Sequence, residues 1–219
     1  FNSMWGLPSF TDYEFVDADI RDEEQVQQAM QGVDTVFHLA AITNAPKTFD
    51  IPEKTWEVNY DGAMNVFKSA KEAGVNDFVN AVTCSVYGTT DQEIKEGFDA
   101  DPESPYGEAK LEAEQEMLKQ NNNRMSVTGL RLGTVYGWST GMRFDTVVDK
   151  FSLLAATGRA LTVYEGAEDQ KRPYLHVQDS VRSLLFAATE LGDEEPYNVV
   201  GENSSLQDVV DAVERHFPG

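Results

Sequence analysis

The sequence contains a single cysteine, Cys84, among its 219 residues. One cysteine excludes an internal disulfide and a cysteine-rich zinc site, and it favours a reducing, cytoplasmic setting. The three histidines, His38, His176 and His216, show no ligand spacing among themselves. We therefore expect no metal site and interpret His38 as a strand residue held by hydrogen bonds.

Long apolar runs are also missing. No stretch reaches 18 apolar residues, so we expect no transmembrane helix. Residues 1–6 contain neither the basic segment nor the apolar segment of a signal peptide. The sequence does not begin with Met, which indicates a fragment or a processed chain.

Basic residues are scarce: 17 Lys and Arg stand against 38 Asp and Glu, giving a net charge of −21. Such a chain repels nucleic acid and anionic membranes, which bind clustered basic side chains, so we expect neither as a partner. Two interpretations of the acidity remain open, a salt-adapted acidic surface and an interaction or disordered tail. The first is favoured because the acids are spread without a block of five or six.

Apolar runs alternate with amphipathic stretches in the first two thirds of the chain. We predict strands at residues 13–16, 35–41, 77–83 and 126–132, and helices at residues 23–30, 53–73 and 105–119. Strands that are apolar throughout and alternate with helices indicate a parallel sheet covered on both faces. Such sheets bind ligands at the carboxyl ends of their strands, where Thr83 and residues 39–41 are expected.

Tyr106 and Lys110 are four residues apart in a predicted helix, so their side chains share one face. A lysine ammonium beside a tyrosine lowers the pKa of the phenol toward neutrality. A hydroxyl that exchanges protons near neutral pH suits the removal of a proton from an alcohol or sugar. The pattern is weak on its own, because both residue types are common, and its surroundings must support it.

Seven segments together resemble the extended short-chain dehydrogenases, specifically the NAD-dependent nucleotide-sugar epimerases and dehydratases, over residues 13–216. They occur in that family's order: Asp17–Asp22, Val36–Ala41, Val58–Gly62, Thr83–Gly88, Tyr106–Lys110, Leu130–Gly137 and Arg172–Asp179. The resemblance implies an α/β fold with a Rossmann-like doubly wound parallel sheet and a small partial substrate-binding domain. It assigns residues 1–137 to the NAD-binding domain and residues 138–219 to a partial substrate-binding region that returns to the sheet.

The resemblance also implies roles for individual residues. The catalytic residues would be Thr83, Tyr106 and Lys110. The cofactor would be NAD, with NADP not excluded, and the substrate a nucleotide-diphosphate sugar; a homodimer would form through the helices at 53–73 and 105–119. Besides Tyr106 and Lys110, the implied cofactor-binding residues are Asp19, Ile20, Leu39, Ala40, Ala41 and Asn59. The implied substrate-binding residues are Cys84, Ser85, Thr134, Arg143 and Arg172.

Four of these residues have a simpler interpretation that stays open. Asp19 either contacts adenine or caps the helix that follows. Asn59 either braces the site or is a buried structural amide. Cys84 either lines the pocket or fills space as a small apolar residue, and Arg143 either contacts the diphosphate or is a surface charge.

The sequence lacks the Gly-x-x-Gly-x-x-Gly turn that lets the cofactor's pyrophosphate approach a helix N-terminus in this family. Gly133, Gly137 and Gly141 are spaced by four and follow the wrong strand. By the family pattern the chain lacks the first strand, turn and helix and also ends early. We therefore expect weak NAD affinity.

The residues after Thr83 bear on the reaction. The 4,6-dehydratases of the family carry Asp-Glu there, whereas this chain has Cys84 and Ser85. The absence of carboxylates favours a 4-epimerase, which oxidises the sugar at C4 and returns the hydride to the other face. A 4-keto-sugar reductase or dehydrogenase, and a catalytically incomplete fragment, remain alternatives. Thr134 replaces the Asn typical of UDP-sugar 4-epimerases, so the sugar or nucleotide can differ.

Overall fold

The computed structural model describes residues 13–90, 92–120, 124–163, 165–191 and 195–217. They divide into a larger unit, Glu14–Leu132 with Arg182–Asn198, and a smaller unit, Gly133–Val181 with the described residues from Val199 onward. Within these ranges, every helix is too short or too polar to cross a membrane. The expected functional division at Gly137 stays a prediction.

Strands and helices alternate through most of the described chain. The strands are β1 Thr35–His38, β2 Asp77–Thr83, β3 Ser126–Leu132, β4 Thr134–Tyr136, β5 Lys171–His176, β6 Pro196–Val199 and β7 Glu202–Ser205. The α-helices are α1 Glu23–Ala29, α2 Ala45–Thr48, α3 Pro52–Trp56, α4 Ala63–Ala73, α5 Pro105–Lys119, α6 Val147–Ala156, α7 Val177–Glu190 and α8 Leu206–His216.

The main sheet has the strand order β1-β2-β3-β6. β1, β2 and β3 are parallel, with Val36 opposite Phe78 and Thr83 opposite Leu132. Six of the seven residues of β2 are buried, as expected for a strand that has helices over both faces. The predicted Rossmann-like parallel α/β sheet is confirmed.

The helices that carry site residues begin and end at recognisable signals. Ser104 caps α5 by accepting a hydrogen bond from the Gly107 N–H, and Pro105 occupies the first turn. The predicted single helix at residues 53–73 is interrupted: a π-helical segment, Glu57–Gly62, joins α3 to α4. Gly74 ends α4 with φ +79°, a conformation that suits glycine.

The core of the larger unit lies between the sheet and helices α4 and α5. Phe67 and Phe78 are almost fully buried, and their rings meet edge to face with centroids 5.2 Å apart. Ala113 and Met117 of α5 join the same cluster. The helix that contains Tyr106 and Lys110 is therefore fixed to the sheet by an apolar face.

The smaller unit contains a second sheet of order β4-β5-β7. β5 is parallel to β4 and antiparallel to β7. Its core includes Phe151 of α6, Tyr174 of β5 and Val213 of α8. Two predictions about strands were wrong: residues 13–16 form no strand, and the strand predicted to reach Ala41 ends at His38.

Candidate active site

Thr83 ends β2 and begins a short 3₁₀ turn, Cys84–Tyr87. Its hydroxyl accepts a hydrogen bond from the Ser85 N–H at 3.1 Å and donates one to the Ser85 Oγ at 3.2 Å. Thr83 is largely buried, whereas Ser85 is exposed. Two hydroxyl groups thus lie together at the carboxyl end of the central strand.

Gly107 allows α5 to begin directly beside this turn. A Cβ atom at position 107 would lie 3.0 Å from the Ser85 carbonyl oxygen and 3.0 Å from Pro102 Cβ. With any other residue there, either the Ser85 backbone or the first turn of α5, which contains Tyr106, would have to give way. Sequence reasoning missed Gly107, although a glycine in the first turn of a predicted helix is a usable signal of close approach.

Lys110 lies one helical turn beyond Tyr106 and is almost fully buried. Its ammonium donates a hydrogen bond to the Ala81 carbonyl oxygen at 2.8 Å. Burial lowers the pKa of Lys110 to about 8, and the Glu114 carboxylate opposes that change. The amino group is therefore held two residues before Thr83 and is mostly protonated at neutral pH.

His38 and Asn80 face each other across β1 and β2 and are both buried. Burial, together with the Lys110 charge, lowers the pKa of His38 to about 3, so the imidazole is neutral. Among the described residues, His38 Nε2 and both amide atoms of Asn80 have no hydrogen-bond partner. The expected hydrogen bonding of His38 is thus missing at Nε2. Throughout the described part of the chain, no group of three or more His, Cys, Asp or Glu residues is arranged to hold a metal ion.

Asn59 lies in the π-helical segment and is fully buried. Its amide oxygen accepts from the Ile42 N–H at 2.7 Å, and its amide nitrogen donates to the Ile42 carbonyl at 2.9 Å. These bonds fix the turn after β1, where Leu39 is 55% exposed and Ala40 and Ala41 follow. Asn59 is thus a buried structural amide that holds the turn, and its part in a cofactor site stays a prediction.

Asp19 forms an ion pair with Arg21, in which Nε and Nη2 donate to the two carboxylate oxygens at 2.9 Å and 2.5 Å. Arg21 holds the pKa of this carboxyl well below its usual range. The helix-cap interpretation of Asp19 was wrong, because Asp22 caps α1 by accepting from the Gln25 N–H. Ile20 packs into the core beside Gly62.

Cys84 is half-buried, and its thiol donates to the Arg131 carbonyl on β3 at 3.2 Å. Burial raises the pKa of Cys84 to about 11. The side chain therefore remains a neutral thiol, and it packs against the neighbouring strand.

The remaining predicted substrate residues belong to the smaller unit. Thr134 begins β4 and is partly exposed. Arg143 is exposed and pairs with Asp145 through two contacts, at 3.2 Å and 3.0 Å. Arg172 is an exposed residue of β5, and its guanidinium donates to the Gln170 side chain at 3.1 Å. The larger unit thus contains all the predicted catalytic and cofactor residues, together with Cys84 and Ser85.

Residues 5–200 match the model of the NAD dependent epimerase/dehydratase family. The chain belongs to this family. The match extends through β6 and includes every residue of the candidate site.

Relatives within the family differ in their reactions. The chain is 30% identical over 191 residues to a dTDP-D-glucose 4,6-dehydratase of Mus musculus, covering 85% of this chain and 53% of the relative. It is 28% identical over 192 residues to a protein described as an uncharacterized UDP-glucose epimerase of Bacillus subtilis (strain 168), covering 84% and 59%. The chain therefore spans between half and two thirds of the length of these relatives.

A solved structure with a similar fold is the UDP-glucose 4-epimerase of Thermus thermophilus in complex with NAD. It has a TM-score of 0.85 and 26% identity, and the alignment covers 97% of this chain and 71% of that one. Likeness to epimerases and dehydratases alike establishes the family and the fold, and the choice between reactions depends on the residues of the site.

Proposed function

We propose that this protein is a nucleotide-sugar 4-epimerase that uses NAD. The observation that carries the proposal is the pair of neutral residues, Cys84 and Ser85, directly after the Thr83 hydroxyl, with Lys110 buried one turn from Tyr106. The Cys84 thiol has a pKa of about 11, and a serine hydroxyl is a weaker acid still. Neither supplies the acid and base that eliminating water across C5 and C6 requires.

Each proposed catalytic residue has a distinct role. Tyr106 takes the proton of the C4 hydroxyl and later returns it, while the Thr83 hydroxyl donates a hydrogen bond to the same oxygen. The Lys110 ammonium favours the phenolate form of Tyr106, and its hydrogen bond to Ala81 holds it in place. Tyr106 thus has a general acid/base role that is typically worth about 10²- to 10⁴-fold in rate.

We infer that the residues present suit two parts of NAD, the ribose hydroxyls and the adenine. The exposed turn at Leu39 and Ala40, braced by Asn59, offers an apolar surface at the strand end, and Lys110 offers a donor for ribose hydroxyls. The Asp19 oxygens retain lone pairs beyond those used by Arg21 and can accept from the adenine amino group. When bound, NAD supplies the acceptor for the hydride that leaves C4. The sequence contains no Gly-x-x-Gly-x-x-Gly turn for the pyrophosphate.

The decisive assay follows the sugar product. The protein is incubated with NAD and either UDP-glucose or UDP-N-acetylglucosamine, without NADH, and the product is examined by NMR. C4 inversion, with no inversion by a Lys110→Met variant, supports the proposal. A 4-keto-6-deoxy sugar would identify a dehydratase, and NADH consumption with a keto sugar but no inversion would identify a reductase; either result refutes the epimerase.

We also propose that Arg172, and secondarily Arg143, contact the substrate diphosphate, with Thr134 donating one hydrogen bond. The chain carries a net charge of −21, so an anionic substrate needs local guanidinium groups. Removing a charge-assisted hydrogen bond costs about 1.5–3 kcal/mol, so Arg172→Gln should weaken UDP binding at least about tenfold by calorimetry. Unchanged affinity would remove Arg172 from the site.

Dimer formation through α3, α4 and α5 is a further part of the proposal. Pairing helices from two copies into a four-helix interface would leave the proposed catalytic face of α5 directed toward its own sheet, where Lys110 contacts Ala81. Sedimentation at several concentrations and salt levels tests this expectation. A monomer throughout would refute it.

A further inference from the structure

Glu114 and Arg131 form a buried ion pair beneath the candidate active site. Their side chains are 1% and 7% exposed. The Arg131 Nε donates to both Glu114 oxygens at 3.1 Å, and Nη2 donates to Oε2 at 2.6 Å. Because a buried ion pair is often no more stabilising than apolar residues of similar volume, stability alone does not explain this arrangement.

The same guanidinium continues into a second set of contacts. The Arg131 Nη1 donates to the Tyr87 hydroxyl at 2.6 Å, and the Tyr87 ring lies 4.9 Å from the guanidinium carbon. The Tyr87 hydroxyl donates in turn to Asn198 Oδ1 of β6 at 2.8 Å. One arginine thus connects α5, β3, the end of the 3₁₀ turn and β6.

The backbone is shaped to accommodate this cluster. Gly129 precedes Arg131 by two residues on β3, and a Cβ atom there would lie 3.0 Å from Glu114 Oε1. The absence of a side chain at Gly129 lets the carboxylate approach the strand. The Glu96 carbonyl accepts a further bond from Arg131 at 3.3 Å, and the Glu96 side chain accepts from the Asn198 N–H at 3.1 Å.

The position of the cluster relates it to the proposed chemistry. Tyr106, Lys110 and Glu114 follow one another at intervals of four on α5 and so share one face. Tyr87 ends the turn that Thr83 begins. The two elements that carry the proposed catalytic groups are therefore both attached to Arg131.

We propose that Arg131 is a positioning residue that, through Glu114 and Tyr87, sets the spacing between Thr83 and the Tyr106–Lys110 pair. The proposal deepens the proposed epimerase function and rests on it. The contrasting explanation is a purely structural ion pair. Replacing a buried pair by apolar residues of similar volume is often neutral or stabilising. A purely structural pair can therefore be replaced without loss of turnover, whereas the loss of a positioning pair lowers turnover even when stability is kept.

The central experiment compares Arg131→Met, Arg131→Lys and the double variant Glu114→Leu/Arg131→Met. Arg131→Met alone leaves the Glu114 carboxylate buried without its partner, so a fall in the melting temperature is expected. The double variant should recover the melting temperature, yet its kcat for C4 inversion should stay at least tenfold below wild type with KM nearly unchanged. A double variant whose kcat is within twofold of wild type would overturn the positioning role.

Arg131→Lys keeps the positive charge but cannot contact Glu114 through two nitrogens and Tyr87 through a third. We expect a folded protein with a kcat at least tenfold lower, and full activity would overturn the proposal. The matched control is the exposed pair Lys68–Glu23, with a 3.0 Å contact. Its double variant, Glu23→Gln/Lys68→Gln, should change neither melting temperature nor kcat.

A second readout is independent of turnover. The ¹³Cε chemical shift of Lys110, assigned with Lys110→Met, reports its titration between pH 6 and 11. Glu114 of α5 raises the pKa of Lys110, the neutral His38 of β1 is affected by the Lys110 charge, and Tyr106 of α5 is the titratable group that the proposed function couples to Lys110. In Glu114→Gln the Lys110 midpoint should fall, and in Arg131→Lys its resonance should broaden or split; unchanged spectra would contradict the proposal. These spectra remain interpretable even if the wild-type protein inverts no sugar, which would refute the proposed function alone.

Discussion

The Asn59→Leu substitution tests how the candidate cofactor turn is held. Asn59 is fully buried, and its amide makes two hydrogen bonds, at 2.7 Å and 2.9 Å, to the backbone of Ile42. Leucine has a similar volume but satisfies neither group. Each unsatisfied backbone group costs about 1–3 kcal/mol when buried. Because Ile42 is only half-buried, we take about 1 kcal/mol for each and expect about 2 kcal/mol of destabilisation.

Two measurements check this expectation. Urea unfolding gives the change in the free energy of unfolding, and NMR-detected hydrogen exchange gives the protection of the Ile42 amide. The amide should lose protection selectively, while amides in the centre of β2 change only with global stability.

Asn65→Leu is the matched control. Asn65 is half-buried, and its amide donates one bond, at 2.7 Å, to the Ile20 carbonyl. This variant should lose about 1 kcal/mol or less and leave Ile42 exchange unchanged. If Asn59→Leu keeps the Ile42 amide as protected as in wild type, the account of the turn is wrong.

Three further predictions concern residues around the strand end. Gly107→Ala gains helix propensity of up to about 1 kcal/mol but crowds the Ser85 carbonyl. The free energy of unfolding should therefore change by less than about 1 kcal/mol, while turnover falls roughly tenfold. The control Gly97→Ala, where a Cβ meets open space, should change neither quantity. The His38 pKa is lowered to about 3, so between pH 6.5 and 3 the unfolded state binds a proton that the folded state does not, and the stability of the wild type falls as pH falls. At pH 4 the wild type should have lost on the order of 3 kcal/mol through His38, a loss that a His38→Phe variant does not suffer. Parallel acid unfolding curves for the two proteins would contradict this. The Cys84 pKa is raised to about 11, so iodoacetamide at pH 7.5 should label the folded protein far more slowly than the protein in urea; equal rates would show an exposed thiolate.

The parts of the fold that sequence patterns predicted well are those determined by local signals. β2 and α5 have the predicted bounds, because β2 is apolar nearly throughout and Ser104-Pro105 is a strong helix start. The apolar run after Thr35 was extended to Ala41, but pairing with β2 ends at His38. The π-helical segment at Glu57–Gly62 has no distinct propensity, and the contact that its residue Asn59 makes with Ile42 is tertiary.

The candidate site was predicted unevenly, because local signals can be read from the sequence and tertiary contacts cannot. Thr83, Tyr106 and Lys110 form a recognisable local pattern, whereas the side-chain contacts among Glu114, Arg131 and Tyr87 join residues up to 44 positions apart. Asp19 and Ile20 were both assigned to the cofactor, and that assignment stays a prediction; whether Asp19 or Asp22 capped α1 depended on backbone geometry. Gly107 and Gly129 matter through what a Cβ atom would touch; the position of Gly107 in a helix's first turn is a sequence signal of such a contact, whereas Gly129 in a strand depends on a residue of another element.

The central claim is that Tyr106 exchanges the C4 hydroxyl proton while hydride leaves C4 and returns to the same carbon. UDP-glucose deuterated at C4 tests it directly when the protein and NAD are incubated in ordinary water and the product is examined by NMR and mass spectrometry. We expect a C4-inverted sugar that keeps its deuterium at C4, and a turnover about 10³-fold lower in Tyr106→Phe. Deuterium transferred to C6 of a 4-keto-6-deoxy sugar, or a Tyr106→Phe rate within tenfold of wild type, would contradict it.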